Sequence, residues 1–118
     1  MAYTFKNIKV WEKAHKLVLE IYKTTKGFPS SEKYGLTAQL RRSAASVATN
    51  IVEGYKRRSD KEFAYFLNIA DASLEESKYH ILLSYDLKYL KKEEYSALSE
   101  LTDEVGKMLF GFQKKLRA

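Results

Sequence analysis

Two histidines and several carboxylates are the residues in this chain whose type and spacing first suggest chemistry. Glu12 and His15 have the Glu-x-x-His spacing that sets both side chains on one helix face. A carboxylate-bridged di-iron bundle needs that pair on two helices and a Glu on each of two more. The other histidine, His80, follows Glu76 by four residues and not three, so the second half-site is missing and no metal is expected. His15 is expected to border an apolar face beside Trp11 and Val18. A serine nucleophile would need a base oriented by a third group, and no nucleophile elbow accompanies these two histidines. Gly106 and Gly111 are spaced as in a phosphate-binding loop, but Phe112-Gln113 stands where Lys-Ser/Thr is required. No GxGxxG fingerprint occurs, which removes a dinucleotide site. Glu75–Glu76 and Glu93–Glu94 are adjacent on helices and point apart, as solvated surface does. With no cysteine, thiolate chemistry and disulfides are excluded. No enzyme activity and no cofactor are expected.

Cationic residues offer a different chemistry. Lys9, Lys13 and Lys16 recur on one side of the first helical segment, Arg41 and Arg42 open the second, and Lys56, Arg57 and Arg58 close it. Clustered ammonium and guanidinium groups displace counterions from a phosphate backbone, and the neighbouring Tyr55 could stack on an unpaired base. The competing account is a solvated face, with Lys56–Arg58 favourably placed at the negative end of a helix dipole. The net charge of +6 is uneven along the chain. Residues 1–58 hold 12 basic and 4 acidic side chains, and residues 59–118 hold 9 and 11. Any anionic partner is therefore expected at the first half.

Four helical segments must position these groups. The 118 residues suit one domain, and a single Pro with five Gly leaves little for the turns of a β-protein. Apolar residues at three- and four-residue steps predict helices over about 8–26, 36–57, 60–89 and 92–116. Asn7 is a candidate N-cap for the first, and Gly27 with Pro29 ends it. Ser59 and Glu62 form a capping-box pattern before the third. Short links between the later helices make neighbours antiparallel, giving an all-α, up-down-up-down four-helix bundle. No apolar run reaches the ~18 residues of a membrane span, and no secretory h-region opens the chain, so a cytoplasmic setting is expected.

The third helix carries more apolar surface than one core needs. Phe63, Leu67, Ala70, Leu74, Ile81 and Tyr85 share one side; Tyr65, Ile69, Ala72, Leu83, Leu87 and Leu90 share nearly the opposite one. That second stripe is expected to meet another copy of the chain. The second helix adds a polar stripe through Arg42, Ser46, Thr49, Asn50, Glu53 and Arg57. Buried, it would be a hydrogen-bonded network centred on Asn50 and Glu53; exposed, it would be ordinary surface.

Several local sequences occur together in a fixed order: Val10-Trp11-Glu12-Lys13-Ala14, Phe28-Pro29, Tyr34-Gly35-Leu36-Thr37 and Gln39-Leu40-Arg41-Arg42. Asn50-Ile51-Val52-Glu53-Gly54, Arg58-Ser59, Glu62-Phe63, Phe66-Leu67 and Ile69-Ala70 follow, with Ser73 and Glu75. In this combination the chain resembles the four-helix-bundle proteins encoded in 23S rRNA intervening sequences, also termed S23-like, over nearly its whole length. It departs from the common pattern at Ala72, where Gly often precedes the Ser. The resemblance implies a homopentamer and an association with RNA or other nucleic acid, and it carries over no catalytic residue. The expected function is thus a non-enzymatic, self-associating bundle that binds RNA or DNA through its basic surface. The alternative is a scaffold that recruits a protein partner.

Overall fold

The computed structural model describes residues 3–117. Four helices account for most of them: α1 (Lys9–Thr25), α2 (Leu36–Tyr55), α3 (Asp60–Asp86) and α4 (Lys92–Arg117). Each packs on two neighbours, α1 on α2, α2 on α3, α3 on α4 and α4 back on α1, in an antiparallel up-down-up-down bundle 43 Å long. No strand occurs among the described residues, and none of their helices is long and apolar enough to cross a membrane.

The helices form where the apolar period demands them. Leu17 and Ile21 of α1, Leu40, Val47 and Ile51 of α2, Leu67, Leu74 and Ile81 of α3, and Val105 and Leu109 of α4 are almost wholly buried between the four. The ends differ from the sequence expectation. Asn7 does not cap α1; its Oδ1 accepts from the Thr4 N–H at 2.9 Å and closes a separate 3-10 turn over Phe5–Asn7. Ile8 then stands at the N-cap with no side-chain bond. Ser59 accepts from the Glu62 N–H at 3.2 Å as expected, but the Glu62 carboxylate meets the Ser59 hydroxyl and leaves the backbone N–H free of it. The third helix stops at Asp86, three residues early, because Lys88 turns into the left-handed region at φ 67°. No Gly or Asn marks that stop in the sequence. Leu90, expected on the outer stripe, lies beyond the helix and folds back into the core.

One pair of helices is joined differently from the rest. Where α2 meets α3, the contacting residues are small. The buried Ser77 hydroxyl donates to Ser43 at 2.9 Å, Ser43 donates to the Leu40 carbonyl at 3.2 Å, and the Ser46 and Ser73 hydroxyls meet at 2.8 Å. These bonds satisfy groups that burial would otherwise leave unpaired. Gly54 completes the seam: a Cβ there would stand 2.7 Å from Phe63 Cδ1 and 2.9 Å from Phe66 Cβ. Gly54→Ala is therefore expected to lower stability by about 1–3 kcal/mol despite the better helix propensity of Ala. Gly111→Ala, where nothing lies within 4 Å, should raise stability by up to ~1 kcal/mol. Urea unfolding of the pair checks this; a stabilised Gly54→Ala protein would mean the seam can open freely.

Candidate nucleic-acid interface and assembly faces

Antiparallel packing brings the N-termini of α1 and α3 and the C-termini of α2 and α4 to one end of the bundle. Contacts between the ends hold it: the Tyr55 hydroxyl donates to the Tyr3 carbonyl at 3.0 Å, the Phe63 and Phe112 rings lie 5.3 Å apart, and Gln113 Nε2 donates to Asn68 Oδ1 at 2.6 Å. This pole collects Lys9, Lys56, Arg57 and Arg58 with Lys6, Lys61, Lys114 and Lys115, all exposed. Glu12, Glu53, Asp60 and Glu62 are the acidic residues of the same turns. Arg57 is engaged there, 3.3 Å from Glu53 and with its guanidinium 4.4 Å from the Phe66 ring centre. Lys56 and Arg58 make no ion pair with any described residue. The lysines of α3 and α4 escaped the sequence reading, because their half of the chain is acidic on average and only topology brings them here.

The remaining cations lie elsewhere. Arg41 and Arg42 precede Arg57 by some four turns, or roughly 24 Å along α2. Arg41 Nε donates to Thr25 Oγ1 at 2.8 Å, its Nη2 reaches the Tyr22 carbonyl at 3.4 Å, and its guanidinium stands 4.7 Å from the Tyr22 ring centre. It thus binds the C-terminal turn of α1, where a cation is electrostatically favoured. Arg42 pairs with Glu76 and donates to Gln39. Lys13 lies 2.7 Å from Glu104. That hydrogen bond, opposed by partial burial and aided by the charges of Lys13 and Lys16, holds the Glu104 carboxyl below the usual carboxylate range. The eight cations singled out in the sequence therefore divide into a pole, a pair bound to neighbouring helices, and lysines facing α4.

The outer stripe of α3 is open to solvent. Tyr65 is 62% exposed and Leu87 45%; Ala72 is exposed, while Ile69 and Leu83 are half-buried. Tyr79, 58% exposed, continues the line of Tyr65 and Ala72 at seven-residue steps, a repeat readable in the sequence. Glu76 is the one charge in this line. It pairs with Arg42 and stands 3.1 Å from His80 Nε2, while His80 Nδ1 is buried without a partner. Asn50 Nδ2 donates to the Ser46 carbonyl at 2.8 Å and Ser46 Oγ at 3.0 Å, within α2. Glu53 turns to Arg57, so Asn50 and Glu53 do not form one network.

A second apolar face, absent from the sequence reading, lies on the other side of α2. On α1 it presents Leu19, 56% exposed, and Tyr22, 43% exposed, with half-buried Trp11 and Val18. His15 stacks on Trp11 there, centroids 4.9 Å apart, rather than pairing with Glu12 around a metal. The α2 side of this face is shallow: half-buried Ala38, Ala45 and Val52. No group of three or more His, Cys, Asp or Glu able to hold a metal occurs among the described residues.

The fold and these surfaces define a small antiparallel four-helix bundle with a basic pole and two apolar faces on either side of α2. The family model of the 23S rRNA-intervening sequence protein matches residues 6–111, and the chain belongs to that family. It is also similar to the crystal structure of a protein of unknown function from the S23 ribosomal protein family of Bacteroides thetaiotaomicron. That likeness has a TM-score of 0.82 at 26% identity and covers 89% of this chain and 95% of the other. No curated protein matches the chain. The arginines divide by role in a testable way. Arg41→Ala should lower stability by about 1–2 kcal/mol, whereas Arg58→Ala should stay within ~0.5 kcal/mol; equal urea midpoints would remove Arg41 from the structure of the α1–α2 corner.

Proposed function

We propose that this chain is a non-enzymatic, cytoplasmic bundle that acts as one domain, assembles into a ring and binds the phosphate backbone of structured RNA or DNA at its basic pole. The observation that carries the reading is the convergence of exposed cations from all four helices at that pole, with few carboxylates beside them. Contacts of this kind position a nucleic acid without reading its sequence. Each phosphate neutralised releases counterions, so affinity falls steeply with salt. Replacing Lys56, Arg58, Lys114 and Lys115 together by Ala is expected to weaken binding of a structured RNA at least about tenfold. The salt slope should flatten by about one unit per lost contact. An unchanged slope in fluorescence anisotropy would exclude the pole.

Assembly, in this reading, uses two unlike faces: the tyrosine ridge of α3 on one copy and the α1–α2 face of the next, whose alanines leave room for it. Unlike faces join head to tail, and the angle between them sets how many copies close. The two faces lie on adjacent and not opposite sides of the bundle, so each copy turns relative to the last and the copies can close as a ring. Five is the number that the family resemblance implies. Because both faces run along the helices, every pole lies on the same rim, and phosphate contacts multiply. Leu19→Glu/Ala45→Glu and Ala72→Glu/Tyr79→Glu should each abolish assembly alone. Mixed, the two variants retain one compatible pair of faces and should form a 1:1 heterodimer in sedimentation. A dimer of either variant alone would mean that like faces pair.

A further inference from the structure

The faces and pole just described leave the side formed by α1 and α4 unused, and it contains a groove of about 710 Å³. Its walls differ in sign. Lys13, Lys16 and Lys23 line the α1 wall, where Glu20 is the one acid; Glu93, Glu94, Glu100 and Glu104 line the α4 wall. Between them the floor is apolar, with Leu98 buried and Leu101 half-buried beside Ala97. Lys13 and Glu104 close one end by pairing at 2.7 Å. Lys16 and Lys23 stay exposed and form no ion pair with a described residue, so beyond the Lys13–Glu104 contact the two walls face each other without direct pairing.

This charge pattern selects its occupant. Five carboxylates against three ammonium groups give a net −2, and a nucleic acid in the groove would meet a wall of like charge. A wholly basic segment would be repelled by the α1 lysines. We infer that the groove is a docking site for an amphipathic helix of a partner protein, with acidic side chains along one flank, basic ones along the other and a narrow apolar seam between. Glu93 to Glu104 spans twelve residues of α4, a rise of roughly 16 Å, which matches three turns of such a helix. The apolar seam would cover Leu98 and Leu101 while each flank meets the opposite sign. The inference is independent of the ring and of nucleic-acid binding, since it uses neither face nor pole.

Three synthetic helical peptides of ~14 residues test it on the full chain by fluorescence anisotropy. They share a leucine seam and carry Glu on one flank with Arg on the other, Glu on both, or Arg on both. The segregated peptide should bind at least about tenfold more tightly than either uniform one. Lys16→Glu/Lys23→Glu should shift preference to the all-Arg peptide, and Glu93→Lys/Glu100→Lys to the all-Glu peptide. All four positions are exposed, and circular dichroism verifies that the variants fold. The inference is overturned if no peptide binds, if the all-Arg peptide matches the segregated one on the parent chain, or if RNA competes with the peptide for the groove.

Discussion

The close approach of α2 to α3 is the constraint on which the other surfaces depend. Gly54 leaves no room for even one methyl group against Phe63 and Phe66. Ser43, Ser46, Ser73 and Ser77 bond across the seam where larger aliphatic residues would hold the helices apart. Hydroxyl pairs of this kind contribute little net energy, but leaving one partner unpaired is costly, so they fix the register. With the register fixed, Arg42 of α2 stands beside Glu76 of α3. The apolar line from Tyr65 to Leu83 is turned outward beside α2, and the alanines of α2 are left facing the α1 side. A looser seam filled with leucines would bury part of both faces.

Charge follows the same geometry. Along the chain the imbalance is one of halves, because residues 1–58 are strongly basic and the rest mildly acidic. In the bundle every helix lies along the long axis and reaches the pole with one end, so halves of the sequence do not become halves of the molecule. The basic pole draws on both, taking Lys56 and Arg58 from one and Lys61, Lys114 and Lys115 from the other. The acidic residues of α4 meanwhile face the lysines of α1. Lys13 and Lys16, read along the chain as free cations, turn out to stand opposite carboxylates. At the pole, Lys56 and Arg58 stay outside any ion pair with a described residue, as do Lys26, Lys33, Lys88, Lys91 and Lys92 toward the other end of the bundle.

The fold was legible because helical period and buried apolar residues are the same fact seen twice. Leu17, Ile21, Leu40, Val47, Ile51, Leu67, Leu74 and Ile81 were all in phase in the sequence, and all are buried. Helix ends were less legible, since they depend on single torsions and caps. Lys88 adopts a left-handed φ of 67° with a residue type that gives no sign of it. Glu32 accepts from the Leu36 N–H at 3.0 Å and from the Tyr89 hydroxyl at 2.9 Å, tying two loops from opposite ends of the sequence. No local pattern contains that pairing. The second apolar face was hidden for a related reason. Trp11 and Val18 lie in the apolar stripe of α1 beside His15, while Tyr22, Ala38 and Ala45 belong to no pattern in the sequence. They become a surface only when α1 and α2 lie side by side.

Arg42 shows why residue type alone misdirects a functional reading. An arginine early in a basic segment looks like a phosphate ligand, yet its guanidinium is held by Glu76 and Gln39. Glu76 interrupts an otherwise uncharged line of Tyr65, Ile69, Ala72, Tyr79 and Leu83, and a lone carboxylate there would resist burial against another copy. Arg42 pairs with that charge, and His80 Nε2 stands 3.1 Å from the same carboxylate. The pair is exposed in the single chain; were the face covered, it would add little stability of its own, but removing one member would leave an uncompensated charge. In the proposed ring, Arg42 would therefore serve to make this apolar face buriable. A cation proposed to meet a polyanion needs its charge uncommitted, which Lys56 and Arg58 at the far end of α2 satisfy and Arg42 does not.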